Sequence, residues 1–129
     1  MIILDTHIWI WWVDNSSRLT EQQRSWIGQH QTEGLGVSII SCWEVAKAVE
    51  SGRLGLSKPV AEWLADALAY PGVRLLELTV PIVVESTQLA GFYRDPGDQM
   101  IVATARVYQS ALLTADQKIL AYTGVNTLK

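Results

Sequence analysis

The sequence predicts an α/β fold, a three-layer α/β/α sandwich around a central, mostly parallel sheet of four to five strands. Two observations predict it. Short apolar runs alternate with segments in which apolar residues recur at helical spacing. The first run, Ile2–Leu4, is wholly apolar and largely β-branched, which is typical of a strand covered on both faces. Because parallel neighbours need crossovers, and right-handed crossovers place helices on the faces of a sheet, the alternation favours a layered sandwich.

The same patterns give the predicted elements in order. Strands are predicted over residues 2–4, 37–40, 73–78 and 111–113, with 125–128 as a candidate edge strand. Helices are predicted over residues 8–13, 20–33, 41–50, 59–70, 80–90, 98–108 and 116–122. Thr79 is a predicted N-cap, with Pro81 in the first turn of its helix. No repeat, low-complexity tract or long linker divides the chain, so residues 1–129 are expected to form a single domain.

Composition limits the function classes. A net charge of −3 and a pI of about 5.3 give no basic signature, so nucleic-acid binding would need a local patch, a bound cation or a second protein. A single cysteine, Cys42, excludes an internal disulfide and fits a reducing compartment. The apolar start of the chain lacks the basic residues and cleavage site of a secretory signal, and is too short to span a membrane. We therefore expect a cytoplasmic protein without a membrane partner.

Four carboxylates follow or flank the predicted strands. Asp5 and Asp116 come just after strands, and Glu44 lies one turn into the helix after another strand. In an open parallel sheet these positions share the carboxyl edge, where the working crevice lies. Asp98 begins a helix that another helix precedes, so the strand-end rule does not place it.

Helix capping is the competing explanation. Asp is a favoured N-cap, which would account for Asp5, Asp98 or Asp116 singly, and Ser41 with Glu44 matches a capping box. Capping does not require these acids to converge, however. Carboxylates held together raise one another's pKa unless a cation neutralises them, and an all-oxygen set suits Mg²⁺ or Mn²⁺.

These residues also resemble a known family. The segments Asp5-Thr6-His7, Ser38–Ala46, Arg94–Gln99 and Leu112–Asp116 occur in the order seen in PIN-domain nucleases, and most resemble the VapC-like toxins of toxin-antitoxin pairs. The resemblance implies a metal-dependent ribonuclease, usually dimeric and restrained by an antitoxin. It places the family's acidic quartet on Asp5, Glu44, Asp98 and Asp116, and a supporting hydroxyl on Thr114.

One position departs from the family pattern, and another has two interpretations. Many relatives carry Arg after the acid matched by Asp98, whereas this chain has Gln99, which puts one cationic contact to RNA in doubt. Asp95, before Pro96, is either an auxiliary ligand or a turn residue that bonds nearby backbone amides, and the turn role is favoured.

The resulting hypothesis is hydrolytic cleavage of RNA. Asp5 and Asp98 would hold the divalent ion, Glu44 would orient or deprotonate the attacking water, and Asp116 would complete the outer sphere with Thr114. Two rivals remain: a divalent-metal phosphohydrolase acting on small molecules, and a non-catalytic binding module whose acids only cap helices.

Several other residues have two interpretations each. His7 is either a general base or, as favoured, a hydrogen-bonded structural residue. The cluster Trp9, Trp11 and Trp12 is either buried or part of a dimer or antitoxin interface, and Trp43 is interpreted as bracing Glu44. Basic residues proposed to contact phosphate, or else simply to be solvated, are Lys47, Arg94 and Arg106.

Overall fold

The computed structural model describes residues 1–129 and contains one five-stranded sheet in which every pairing is parallel. The sheet order is β3-β2-β1-β4-β5. The strands are β1 (Ile2–Leu4), β2 (Leu35–Ser38), β3 (Val73–Leu76), β4 (Ala111–Leu113) and β5 (Thr127–Leu128). The predicted α/β sandwich with its parallel sheet of four to five strands is confirmed, and the candidate edge strand is real but shorter than predicted.

Seven helices connect these strands. They are α1 (Thr6–Val13), α2 (Glu21–His30), α3 (Ile39–Glu50), α4 (Val60–Leu68), α5 (Val80–Ser86), α6 (Pro96–Val107) and α7 (Gln117–Leu120). Thr20 and Gln23 form a capping box at the start of α2, and Thr79 caps α5 as predicted. None of the helices has both the length and the apolar character needed to cross a membrane.

The central strand β1 divides the core into two apolar clusters. Ile2 and Leu4 point into a cluster with Trp9, Val45 and other side chains from α1 to α4. Ile3, between them, points the opposite way into a cluster with α6 and α7 side chains such as Ile101. This alternation follows from the two-residue period of a strand and gives the three layers.

The order of the strands creates a switch point at the centre of the sheet. From β1 the chain moves outward to β2 and β3, then returns through α5 and α6 to β4 on the other side of β1. In open α/β sheets the crevice for ligands lies beyond the carboxyl ends of the strands at such a point. The residues that follow β1 and β4, Asp5 and Asp116 among them, therefore border this crevice.

Several predicted boundaries were wrong at helix and strand ends. The strand predicted over 37–40 ends at Ser38, because the Ser38 hydroxyl accepts a hydrogen bond from the Ile40 amide at 3.1 Å and starts α3 there. The helix predicted over 80–90 ends at Ser86, and β3 ends at Leu76 rather than residue 78. Apolar periodicity fixes the type of an element better than its ends, which depend on single capping contacts.

Candidate active site

One cleft brings together the four predicted acids. Its volume is about 520 Å³, and it lies at the carboxyl edge of the sheet. The four predicted acids come from different parts of the chain: Asp5, Glu44, Asp98 and Asp116. Asp95 lines the cleft as a fifth acid. Asp98, which the strand-end rule does not place, reaches the cleft because α6 packs against α3 and so brings its first turn beside Glu44.

The capping explanation applies to some of these acids and not to others. Asp5 and Asp116 are N-caps, and Asp116 accepts from the Lys118 amide at 2.8 Å. Asp98 is not a cap: Asp95 caps α6, and its Oδ1 accepts from the Asp98 amide at 3.0 Å. Asp95 thus makes the backbone-amide bond that its turn role predicts.

Glu44 belongs to no capping box. The predicted partner Ser41 lies inside α3, fully buried, because Ser38 caps that helix. The Ser41 hydroxyl instead lies 2.8 Å from the Thr6 hydroxyl, which donates to Glu44 Oε1 at 2.6 Å. Since the single Thr6 proton goes to the carboxylate, Ser41 must donate to Thr6. A directed chain from Ser41 through Thr6 thus fixes the Glu44 carboxylate.

A second chain of the same kind fixes Asp5. The Asp116 amide donates to the Thr114 hydroxyl at 3.0 Å, and that hydroxyl donates to Asp5 Oδ2 at 2.7 Å. The other Asp5 oxygen accepts from the Thr6 amide at 2.9 Å. Asp5 is only 5% exposed and Thr114 is fully buried. Both Asp5 oxygens are therefore held in place, each with an acceptor site remaining.

Asp98 has the strongest electrostatic perturbation of the four. Burial, followed by the charges of Asp5, Asp116 and Glu44, raises its pKa to about 7. The Tyr93 hydroxyl donates to Asp98 Oδ2. The Lys118 ammonium group lies 4.9 Å from the centroid of the Tyr93 ring. Its positive charge partly opposes the rise in the pKa of Asp98.

Burial also raises the pKa of Asp5 and of Glu44. For Asp5 the hydrogen bonds from Thr114 and Thr6 act against the desolvation, and the charge of Asp116 adds to it. For Glu44 the hydrogen bond from Thr6 opposes desolvation, while the charges of Asp5 and Asp95 reinforce it. The hydrogen bonds within the cleft therefore do not fully offset the burial and mutual repulsion of its carboxylates.

This set of donors fits a hard divalent cation. Glu44, Asp95 and Asp98 each have a carboxylate oxygen within 4.8 Å of the others. A Cβ at Gly97 would lie 2.6 Å from Glu44 Oε2, so the glycine leaves room for this carboxylate against the start of α6. Clustered carboxylates with raised pKa values are the oxygen ligands that Mg²⁺ and Mn²⁺ prefer.

The predicted basic residues lie in different places. Lys47 lines the acidic cleft, whereas Arg94 and Gln99 line a neighbouring cavity. Arg106 was wrongly predicted to border the site, because it pairs with Glu85 at 2.9 Å and lines a separate cavity with the loop before β5. Its guanidinium is committed to the contact between α5 and α6.

His7 and Trp43 also differ from their favoured interpretations. His7 is exposed at the edge of the cleft, 5.9 Å from the Trp11 ring, and its side chain makes no hydrogen bond within the chain. Trp43 is 57% exposed, lines the same cleft as Glu44, and its indole makes no hydrogen bond to that carboxylate.

Sequence reasoning missed four residues at this site: Thr6, Ser41, Tyr93 and Arg53. Arg53 follows α3 and lines the cleft, as Lys47 does, with its Nε donating to the Ser51 hydroxyl at 2.9 Å. A signal was available for Thr6, since it follows Asp5 at the end of β1 much as Thr114 follows β4. Ser41 and Tyr93 gave none, because they reach the site only through the packing of α3 on α1 and the fold of the loop before α6.

A parallel α/β/α sandwich with an acidic cleft at its switch point defines a class of protein suited to holding a divalent cation beyond the strand ends. A family model described as PIN domain matches residues 2–125. The chain accordingly belongs to the PIN-domain family.

Individual relatives agree with this assignment. Over 119 residues the chain is 32% identical to Ribonuclease VapC22 from Mycobacterium tuberculosis, covering 92% of this chain and 88% of that protein. Among solved structures, VapBC2 from Rickettsia felis bound to a promoter DNA fragment matches with a TM-score of 0.74 and 14% identity, covering 99% of this chain and 98% of that one. FitAcB from Neisseria gonorrhoeae matches with a TM-score of 0.70 and 22% identity, covering 100% and 97%. The two structural likenesses concern the fold alone.

Proposed function

We propose that this protein is a divalent-metal-dependent endoribonuclease and the toxin of a toxin-antitoxin pair. The observation that carries the proposal is the convergence of Asp5, Glu44, Asp98 and Asp116 in one cleft of a PIN-domain chain. The 32% identical relative is named a ribonuclease, which supports RNA as the substrate. Residues 1–129 are proposed to form one PIN-like domain.

The surroundings of the acids support the roles proposed for them. Asp5 and Asp98, which line the same cleft, would hold Mg²⁺ or Mn²⁺. Asp95, the cap of α6, belongs with Glu44 and Asp98 to the group of close carboxylates, whereas Asp5 lies outside that group. The bound ion supplies Lewis-acid polarisation of the phosphate and a lowered pKa for water. Thr114 holds Asp5 in one orientation, because its hydroxyl donates a hydrogen bond to Asp5 Oδ2 at 2.7 Å.

Glu44 is the residue proposed to orient the attacking water and accept its proton. Its pKa is raised by burial, which brings a carboxylate closer to the range in which a general base works at neutral pH. The Thr6 hydroxyl occupies Oε1 at 2.6 Å, so Oε2, on the Gly97 side, is the oxygen left for water. Asp116 completes the acidic wall of the cleft.

Charge also determines when RNA can bind. The four acids repel a phosphate backbone until a cation neutralises them, so the metal-free protein should bind RNA poorly. Lys47 and Arg53 at the edge of the same cleft are the proposed phosphate contacts.

The partners are proposed on separate grounds. Solved structures with this fold include a toxin-antitoxin complex from Klebsiella pneumoniae, with a TM-score of 0.70, which supports an antitoxin. A homodimer is supported by the face of α5 that exposes Val80, Val83 and Val84. Sedimentation of the free protein at micromolar concentration tests the proposed homodimer: a dimer is expected, and a monomer would contradict it.

The cytoplasm is the proposed compartment, since the thiol of Cys42 is free.

Cleavage of RNA in the presence of Mg²⁺ or Mn²⁺ tests the proposed activity. The unmodified protein should cleave single-stranded RNA, and a chelator should abolish cleavage. Asp5→Asn and Asp98→Asn should each lower the rate at least about 100-fold, because each removes a ligand charge. Full activity in chelator, or unchanged rates in both variants, would contradict the proposal.

A further inference from the structure

Trp43 is the one tryptophan of six that the core does not use. Trp9 and Trp63 are core residues that pack edge to face at 5.3 Å. The remaining three, Trp11, Trp12 and Trp26, pack against the same cluster. Trp43 lies outside both clusters and is 57% exposed. An indole left in water contributes nothing to the core, so its position points to a partner outside the chain.

The position of Trp43 on α3 ties it to the acidic cleft. It directly precedes Glu44, and Lys47 follows one helical turn later on the same face. Trp43, Lys47 and Arg53 all line the cleft that contains the four acids. An aromatic ring and two cations thus share the cleft that contains the proposed reaction centre.

We propose that Trp43 is a stacking platform for a base of single-stranded RNA, next to the phosphate to be cleaved, with Lys47 and Arg53 contacting the adjoining phosphates. The inference rests on the proposed ribonuclease function and adds a substrate-positioning residue to it. Stacking on an aromatic ring accepts any base, whereas cations track the backbone, and together they are the ordinary elements of a single-strand site. A base held here would position the next phosphate over Glu44 of α3 and Asp5, which follows β1.

The composition of the cleft favours RNA over a protein segment as the occupant. Besides Trp43, the apolar side chains that line it are only Ile10, Ala48 and Pro96, among mostly polar and charged residues, so no extended apolar groove adjoins the ring. The Lys47 ammonium is paired at 2.6 Å with Glu50, an exposed partner that a phosphate can replace at little cost.

The test measures KM and kcat separately for cleavage of a single-stranded RNA with Mn²⁺. Trp43→Ala and Trp43→Leu should each raise KM by about 5- to 100-fold, the effect expected from removing one stacked base. Trp43→Phe keeps a ring and should stay within a few-fold of the unmodified protein. Tyr108→Ala is the matched control, because Tyr108 is 41% exposed at the end of α6 and lines no part of the cleft.

A salt titration tests the two cations independently. With the unmodified protein, log KM should rise with log salt. Lys47→Ala combined with Arg53→Ala should reduce that slope by about 0.7 for each RNA phosphate that the protein no longer neutralises. Trp43→Ala should leave the slope unchanged, since stacking involves no counterion release.

The outcomes separate the two levels of the proposal. No cleavage by the unmodified protein would overturn the nuclease function. Cleavage with the same KM in Trp43→Ala and the unmodified protein would overturn the stacking role alone. Unchanged KM together with weaker inhibition by the antitoxin would assign Trp43 to the protein partner and overturn the inference as well.

Discussion

The smallest unit of this site is a carboxylate held by a threonine. Thr114 directs its proton at Asp5 and Thr6 directs its proton at Glu44, at 2.7 and 2.6 Å. Each threonine in turn accepts a hydrogen bond, from the Asp116 amide and the Ser41 hydroxyl respectively. Fixed donors of this kind hold ligand oxygens in position before the ion or substrate arrives.

Thr114→Val tests this arrangement at Asp5. The change keeps the shape of the side chain but leaves Asp5 Oδ2 and the Asp116 amide without their partner. We expect divalent-metal affinity to fall about 10- to 100-fold and stability to fall by about 1–3 kcal/mol. Calorimetric titration with Mn²⁺ and thermal unfolding measure the two effects.

Thr104→Val is the matched control for that change. Thr104 is equally buried, but its hydroxyl donates only to the Met100 carbonyl within α6, at 2.7 Å. This variant should keep its Mn²⁺ affinity. Equal affinities in both valine variants would show that Thr114 does not position Asp5.

Asp98 gives the metal-free protein a dependence on pH. Its pKa is about 7 in the folded chain and about 4 in the unfolded chain, so between these values the folded state binds more protons. The free energy of unfolding should therefore fall as the pH rises from about 4 to 7. Saturating Mn²⁺ should reverse this destabilisation, because the ion binds the ionised form of the folded state.

Asp98→Asn removes the charge and should flatten that dependence. In chelator at pH 8 we expect the free energy of unfolding of this variant to exceed that of the unmodified protein by about 1 kcal/mol. Because Asp98 is partly exposed, this figure is smaller than the full pKa difference would give. Thermal unfolding from pH 4 to 8 measures it. The same pH slope in both proteins would mean that Asp98 ionises normally in the folded chain.

At the scale of the elements, the start of α6 carries two acids with separate tasks. Asp95 caps the helix through its bond to the Asp98 amide, and Asp98, three residues later, faces the cleft. Pro96 in the first turn has no amide to satisfy, which suits this start. One short segment thus begins the helix and supplies the proposed ligand Asp98.

Substitution of Asp95 distinguishes the cap from the ligands. Asn is nearly as good an N-cap as Asp, so Asp95→Asn should keep both the stability and, within a few-fold, the cleavage rate. Asp95→Ala should lose about 1 kcal/mol of stability. Thermal unfolding measures the stability of each variant, and RNA cleavage measures its activity. If Asp95→Asn lowers the cleavage rate as severely as Asp98→Asn, Asp95 is a ligand.

The elements also explain which part of the site could be predicted from sequence. Asp5 and Asp116 follow strands directly, so the parallel sheet alone brings them to one edge. Glu44 was placed by the same rule, although its helix begins two residues earlier than predicted, at Ile39. Asp98 depends on how α6 packs against α3, a long-range contact that no local pattern encodes; only the family resemblance pointed to it.

Capping was the least predictable feature of the chain. Ser38 and Ser41 are both acceptable caps, and the sequence offers no local reason to prefer the first. Both serines are buried, and their hydrogen bonds tell them apart: the Ser38 hydroxyl accepts from the Ile40 amide, whereas the Ser41 hydroxyl bonds to the Thr6 hydroxyl. The structure thereby removes the capping box that would have explained Glu44 without chemistry.

At the scale of the whole molecule, the sheet order concentrates charge at one place. The chain leaves β1 in one direction and returns on the other side at β4, so four segments distant in sequence end at the same crevice. A protein with a net charge of −3 thus gathers four acids in one cleft, with Lys47 and Arg53 at its edge. A cation in the cleft would convert this repulsive centre into one that accepts phosphate.

The proposed function depends most on these acids acting together as a cation site, and Mn²⁺ binding measured by calorimetry tests that directly. We predict saturable heat for the unmodified protein and affinity at least about tenfold weaker in both Asp5→Asn and Asp98→Asn. Asp66→Asn is the control, an exposed aspartate paired with Lys58 at 2.5 Å outside the acidic cleft, and should bind normally. No saturable heat, or equal affinity in all four proteins, would contradict a shared cation site.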